Sequence, residues 1–206
     1  MNETSEKRPR GSRELWLDAA YELLLTDGID AVKVMPLARR LNMTRTGFYW
    51  FFKDLNELHA AVIERWENMN TGNLVARCNA EASNICEALF NVMDCWLDPT
   101  LFDSRLDLAI RNWARVDVKL KERLDQADKT RIDAVRQMFS RFGYSEEQAI
   151  VRGMTLIYTQ IGYISMEVAE DSNERLERVQ HYVELFASVQ PNQMDVRNFV
   201  TRHSHS

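Results

Sequence analysis

Between Lys33 and Lys53 the chain reads KVMPLARRLNMTRTGFYWFFK, and this stretch concentrates side chains whose types and spacing can do chemistry. Thr44, Arg45, Thr46, Gly47, Tyr49 and Trp50 fall on the outer side of a short predicted helix, close to its N-terminus. Such a row suits the major groove of duplex DNA. Hydroxyls, backbone N–H groups and the positive end of a helix dipole meet phosphates, a guanidinium meets guanine edges, and a flat ring meets thymine methyls. The alternative is that Tyr49, Trp50, Phe51 and Phe52 are core aromatics of a helical hairpin. Four successive aromatics cannot all face one core from one helix, so one or two must emerge.

Other reactive groups are poorly placed for catalysis. Of the four histidines, His203 and His205 lie near the C-terminal end, and neither His59 nor His181 has a Ser or Cys motif beside it. The seven glycines never cluster into a phosphate loop, and no His-Glu metal spacing occurs. No enzyme activity, cofactor or metal site is expected. Cys78, Cys86 and Cys95 form an odd set that fits neither a disulfide framework nor a zinc knuckle, so buried free thiols are expected.

The elements that position the polar row are helical. Leu15, Trp16, Ala19, Ala20, Leu23 and Leu24 form the stripe of a first helix, capped by Ser12 and stopped at Gly28. A second runs from Val34 to Leu41 with Pro36 in its first turn, where the missing N–H is tolerated. Asn42 accepts the left-handed turn conformation, and Thr44 caps the third helix. Leu37, Ala38 and Leu41 give the second helix a small apolar inner face, and Phe48 and Phe52 turn the third into the same core. Asp54 and Glu57 open a fourth helix that runs to about Asn70.

Further helices follow at Ile85–Leu97, Leu106–Ala114, Leu120–Phe142, Ser145–Glu170 and from Asp171 towards Pro191, making roughly nine with no convincing strand. The expected fold class is all-α, with a DNA-binding helix-turn-helix domain at 1–53, a larger helical ligand-binding and dimerisation domain at 54–189, and a flexible tail at 190–206. The chain has 206 residues but only four prolines and seven glycines, which favours long uninterrupted elements over linkers. No run approaches the ~20 apolar residues of a membrane helix, and the N-terminus lacks an apolar secretion core, so a cytoplasmic protein without membrane partners is expected. Residues 1–53 hold nine basic against seven acidic side chains, while the remainder holds 17 against 24. A mildly basic head on an acidic body is compatible with a polyanion partner at one end only.

The string Leu37-Ala38, Leu41-Asn42-Met43-Thr44, Phe48-Tyr49, Phe52-Lys53, followed by Leu58, resembles the helix-turn-helix of the tetracycline-repressor (TetR) family of bacterial transcription regulators. The resemblance covers about the first 60 residues. Asn42 replaces the usual turn glycine, Lys33 replaces the usual Ser or Thr cap, Thr46-Gly47 inverts the commoner order of the small pair, and Trp50-Phe51 is bulkier than usual. The resemblance implies that Thr44, Tyr49 and Lys53 grip phosphates and that Arg45, Thr46 and Gly47 meet base edges. Trp50 packs either on phosphate or in the core, and Lys33 completes the DNA-facing set. Lys7, Arg8, Arg10 and Arg13 are either a minor-groove arm or a solvated tail.

It also implies a homodimer on a palindromic double-stranded operator, acting as a repressor that an unknown small-molecule effector releases. Pairing is expected through the last two long helices, with apolar rows Ile150, Met154, Ile157, Ile161, Ile164 and Leu176, Val179, Val183, Phe186, and with Gly153 and Gly162 permitting close crossings. The same rows also read as intrachain core. Trp96, Phe102, Trp113, Met138, Phe139, Tyr158 and Tyr163 are the candidate effector-binding residues. Arg111 and Arg115 are candidates for an anionic effector or for pairing with nearby carboxylates such as Asp107 and Asp117. The competing function is a helical small-molecule binder or scaffold that never touches DNA.

Overall fold

The computed structural model describes residues 11–203. Expectations placed on Lys7, Arg8, Arg10, His205 and the last residues of the chain lie outside that range. The fold is all-α, with no strand among the described residues, and it divides into two compact units, Met1–Glu64 and Arg65–Ser206. That division falls inside the fourth helix rather than at 53/54. No helix among the described residues is long and apolar enough to cross a membrane.

In the first unit, α1 (Arg13–Asp27) starts where the Ser12 hydroxyl accepts the Leu15 N–H and stops at Gly28, whose φ of 78° disfavours any other residue. A single 3-10 turn (Ile29–Ala31) leads to α2 (Val34–Arg40). Lys33 gives α2 no side-chain cap, as its type predicts, although its carbonyl accepts the first helical bond from Leu37. Asn42 then adopts φ 52°, with Asn42 N–H donating to Arg39 O and Met43 N–H to Ala38 O. This paired closure satisfies the carbonyls that end α2. The chain turns directly into α3 (Arg45–Phe48), which is capped by Thr44 and shorter than expected; Tyr49 to Phe51 continue as a turn. α4 (Leu55–Trp66) begins where Asp54 accepts the Glu57 N–H and the Glu57 carboxylate accepts the Lys53 N–H.

The second unit continues the α4 backbone through a π-helical turn (Glu67–Gly72) into α5 (Asn73–Asn79), which the sequence reading had not separated. α6 (Ile85–Leu97) is buried on almost every side and is capped by Asn84. Around it lie α7 (Ser104–Ala114), α8 (Val118–Arg141), α9 (Glu146–Ser165), which opens with the expected Ser145–Gln148 capping box, and α10 (Ser172–Ala187). At Gly153 an added Cβ would sit 3.0 Å from the Ile132 carbonyl, so this glycine lets α9 cross α8 closely within the chain. Gly162 has no such neighbour within 4 Å.

The expectation of a flexible tail from 190 is corrected by α11 (Gln193–His203). Phe199 is buried with its ring centroid 4.8 Å from that of Phe90, while Arg202 and His203 both reach the buried Asp94 carboxylate. An apolar anchor plus an ion pair and a histidine hydrogen bond to Asp94 of α6 is enough to order a short terminal helix. The three cysteines are free and buried as expected, and burial pushes the Cys95 thiol up to about 12, which makes it a poor nucleophile.

Asp107 organises the polar part of this unit. It is fully buried, accepting from Trp66 Nε1 at 2.8 Å, Arg111 Nε at 2.8 Å and Arg131 at 3.0 Å. Arg111 also holds Asp128 through both terminal nitrogens, and Arg131 reaches Thr71 and lies over the Trp66 and Phe102 rings. Burial pushes the Asp107 carboxyl up, but Arg131 and Arg111 overcome it and hold the carboxyl below the usual range. A group whose folded pKa is depressed stabilises the protein above its unfolded pKa of about 3.9 and loses that contribution as pH falls through the folded value. Replacing Asp107 with Ala leaves two buried guanidinium groups short of a partner, so urea unfolding at neutral pH should show a loss of about 3–5 kcal/mol. Below about pH 4 the wild type should lose stability faster than the variant.

Candidate nucleic-acid interface

The orientation of α3 is set by what it buries. Phe48 and Phe52 are both 0% exposed; their rings stack at 5.5 Å, and Phe48 meets Trp16 edge-on at 5.4 Å. Full burial of an aromatic side chain is worth about 1.5–3 kcal/mol each, far more than a four-residue helix could contribute by itself. With those rings turned inward, Thr44, Arg45, Thr46, Tyr49, Trp50 and Lys53 all face solvent. Trp50 is 81% exposed and Tyr49 46%, so the two aromatics that must emerge are these. Phe51 is half-buried.

The exposed groups have distinct chemistry. The Thr44 oxygen accepts the Gly47 N–H at 3.1 Å, which leaves its O–H hydrogen available to donate. Arg45 lies beside Tyr49, with its guanidinium carbon 5.9 Å from the ring centroid and a nitrogen 3.4 Å from the hydroxyl. This loose contact orients the guanidinium and engages one of its five N–H donors. A Cβ on Gly47 would meet only ordinary contacts, Thr44 Oγ1 at 3.5 Å and Trp16 at 4.0 Å. The fold itself therefore does not require glycine there. Lys33 is exposed at the start of α2. Arg13 is engaged within the unit, its guanidinium lying 4.7 Å from the Phe52 ring centroid and 3.8 Å from Glu57. His59 packs its ring against the Val32 carbonyl at 3.2 Å, and His181 is exposed on α10.

The seven candidate effector-binding residues separate. Phe102, Met138 and Phe139 are buried at 0–3% exposure among core side chains, and Trp113 is also buried. Tyr158 points outward at 53% exposure. Trp96 and Tyr163 share a cleft between α6, α9 and α10, with Leu156, Gln160, Glu170, Arg175 and Val179 among its other walls. The sequence reading missed Gln160, Glu170 and Arg175; the spacing of Gln160 to Tyr163 on α9 was the one signal that placed a polar group beside a named aromatic. Arg111 is committed to Asp107 and Asp128, as the pairing alternative anticipated, and Arg115 is exposed. Among the described residues, no group of three or more His, Cys, Asp or Glu side chains is placed to hold a metal ion.

Comparison with known proteins agrees with this geometry. Residues 17–62 match the model for bacterial regulatory proteins of the tetR family, a span from α1 into α4. No curated relative matches the chain. Among solved structures, a TetR transcriptional regulator from Legionella pneumophila is 17% identical, with a TM-score of 0.60 over 93% of this chain and 96% of that one. SmeT, the repressor of the Stenotrophomonas maltophilia multidrug efflux pump SmeDEF, is 17% identical with a TM-score of 0.61 over 92% and 95%. A transcriptional regulator from Rhodococcus sp. Rha1 is 18% identical with a TM-score of 0.59 over 93% and 97%. At these identities the structural likeness speaks for the fold, and the match over 17–62 speaks for the helix-turn-helix. Taken together, they give this chain a segment, residues 17–62, that matches the helix-turn-helix of the tetR family of bacterial regulatory proteins, within an all-helical fold similar to that of these transcriptional regulators.

Proposed function

We propose that the chain works as a homodimeric repressor whose two α3 faces enter successive major grooves of a palindromic operator, and that a small molecule bound in the second unit releases it. One observation carries the DNA half of this reading. The aromatic core behind α3 is closed, while Thr44, Arg45, Thr46, Tyr49, Trp50 and Lys53 stand clear of it with most of their donors uncommitted. A scaffold that never met DNA would have no use for an 81%-exposed tryptophan beside a guanidinium and two threonine hydroxyls. In the bound state Thr44, Tyr49 and Lys53 contact phosphates, with Lys33 joining them from the start of α2, while Arg45, Thr46 and Gly47 meet base edges. Exposed Trp50 packs against the backbone. Residues 65–203 supply the dimerisation and effector-binding functions.

Dimerisation is supported by the outer faces of α9 and α10. Ile150, Val151, Met154 and Tyr158 on α9, with Tyr182 and Leu185 on α10 and Val189 just beyond its end, are all exposed, whereas Ile157, Ile164, Val179, Val183 and Phe186 are buried within the chain. The apolar rows of the sequence therefore split, one part core and one part open surface. Contiguous exposed apolar side chains mark an interaction surface, and a symmetric operator calls for a twofold partner.

Four outcomes are expected. In gel-shift titrations with DNA from upstream of its own gene, binding should fall about 10³- to 10⁵-fold between 50 and 200 mM salt if 6–10 phosphates are neutralised. Arg45→Ala and Tyr49→Ala should each weaken that binding by about 1–3 kcal/mol while thermal stability stays within about 0.5 kcal/mol, because both side chains are exposed. Salt-independent binding, or variants that bind as well as wild type, would contradict the assignment. Gly47→Ala should melt at or slightly above the wild-type temperature, since alanine is favoured by about 1 kcal/mol in a helix, yet bind the same DNA more weakly because its methyl occupies the approach to the groove. Leu185→Glu should sediment as a folded monomer with operator affinity reduced at least about tenfold, as expected when two linked half-sites become one; a dimeric variant would place the interface elsewhere.

A further inference from the structure

We infer that the cleft between α6, α9 and α10 is a binding site for a small apolar carboxylate, held by Trp96, Gln160 and Arg175. Buried donors without an acceptor are uncommon in folded proteins and call for an explanation. Among the described residues they are Trp16 Nε1, Trp96 Nε1, Arg152 Nε and Gln160 Nε2, and two of these four belong to walls of this one cleft. Both are donors, and neither meets an acceptor within the chain.

A third donor stands beside them. The Arg175 guanidinium approaches Glu170 only to 3.7 Å and lies 5.0 Å from the centre of the Tyr163 ring. Glu170 is taken up instead by the Tyr163 hydroxyl and by Arg178, both of which donate to it. Burial works against the charge on Arg175, a cost that an anionic partner would relieve. The remaining walls include Met93, Leu97, Leu156, Val179 and Phe186, which suit an apolar body. Few polar groups converging in an apolar cleft is the usual composition of a small-molecule site. The Glu170 carboxylate in the cleft already accepts from Tyr163 and Arg178, so an ammonium ligand would have to compete for it, and a neutral alcohol would use at most part of the free donors.

The cleft is narrow, with about 50 Å³ of free space against the roughly 300 Å³ or more of most ligand sites. Entry of a ligand must therefore displace a wall. Two of the three walls are α9 and α10, whose outer faces form the proposed dimer surface, so occupancy changes the pairing geometry of the helices that space the two reading heads. That consequence rests on the dimeric repressor reading; the binding site itself does not.

The test is titration of the purified full-length protein with benzoate, phenylacetate and octanoate, and with benzyl alcohol and octanol as uncharged counterparts, followed by calorimetry and tryptophan fluorescence. At least one acid should bind, about tenfold or more tightly than its alcohol, as a hydrogen bond to a charged group is worth. Trp96→Phe and Arg175→Met should each weaken that acid about tenfold or more. Acids and alcohols binding equally, no binding of any acid up to 10 mM, or variants that bind the acid like wild type would overturn the site. The acid is then added to the operator complex. Binding that leaves DNA affinity unchanged keeps the site and removes its regulatory role, and acid binding by protein that recognises no DNA supports the site while contradicting the repressor reading.

Discussion

The burial of Phe48 and Phe52 against Trp16 is the constraint from which the rest of the N-terminal unit follows. A four-residue helix has no stability of its own, since nucleation costs more than one turn of hydrogen bonds returns. α3 exists because its two phenylalanines are locked into a closed core and because Thr44 caps its first turn. Once they are locked, helical geometry leaves Arg45, Thr46, Tyr49 and Trp50 no direction but outward. The polar face is thus a consequence of the apolar one, and its rigidity comes from packing rather than from helix propensity.

The second unit is governed by a different balance. Asp107 and Arg131 are buried ions, a combination that is costly unless every donor and acceptor is matched. Here matching is nearly complete: Trp66, Asn70, Thr71, Arg111 and Asp128 complete the set, and the aromatic rings of Trp66 and Phe102 flank the guanidinium. The cleft between α6, α9 and α10 is the opposite case, with the Trp96 and Gln160 donors left over. Within one helical bundle, then, one polar cluster is satisfied by the chain itself and the other leaves two buried donors without a partner. This contrast, more than the presence of aromatics, separates a structural network from a binding site.

Helix caps, stops and the turn at Asn42 were legible in the sequence because they depend on local residue types: Ser12, Gly28, Thr44, Asp54 and Ser145 all sit where their chemistry places them. The outward row on α3 was legible for the same reason, as was the need for some of its aromatics to emerge. Long-range partners were not. Whether Phe102, Met138 and Phe139 lined a cavity or filled the core depended on how four helices meet, and the answer was core. The segment after 190 carries few apolar residues, yet Phe199 finds Phe90 and His203 finds Asp94 more than a hundred positions away. Gln160 and Arg175 gave no periodic signal, since a single polar residue on an apolar helix looks the same whether it meets solvent, a partner or nothing.

The most direct test of the account is selection of binding sites from a pool of random duplexes by the full-length protein, with sequencing of what is retained. The account expects an inverted repeat whose half-site centres lie about one helical turn, ~34 Å, apart, with the strongest preference at a guanine in each half. Recovery of no common sequence, or of a single asymmetric site with no second half, would contradict it.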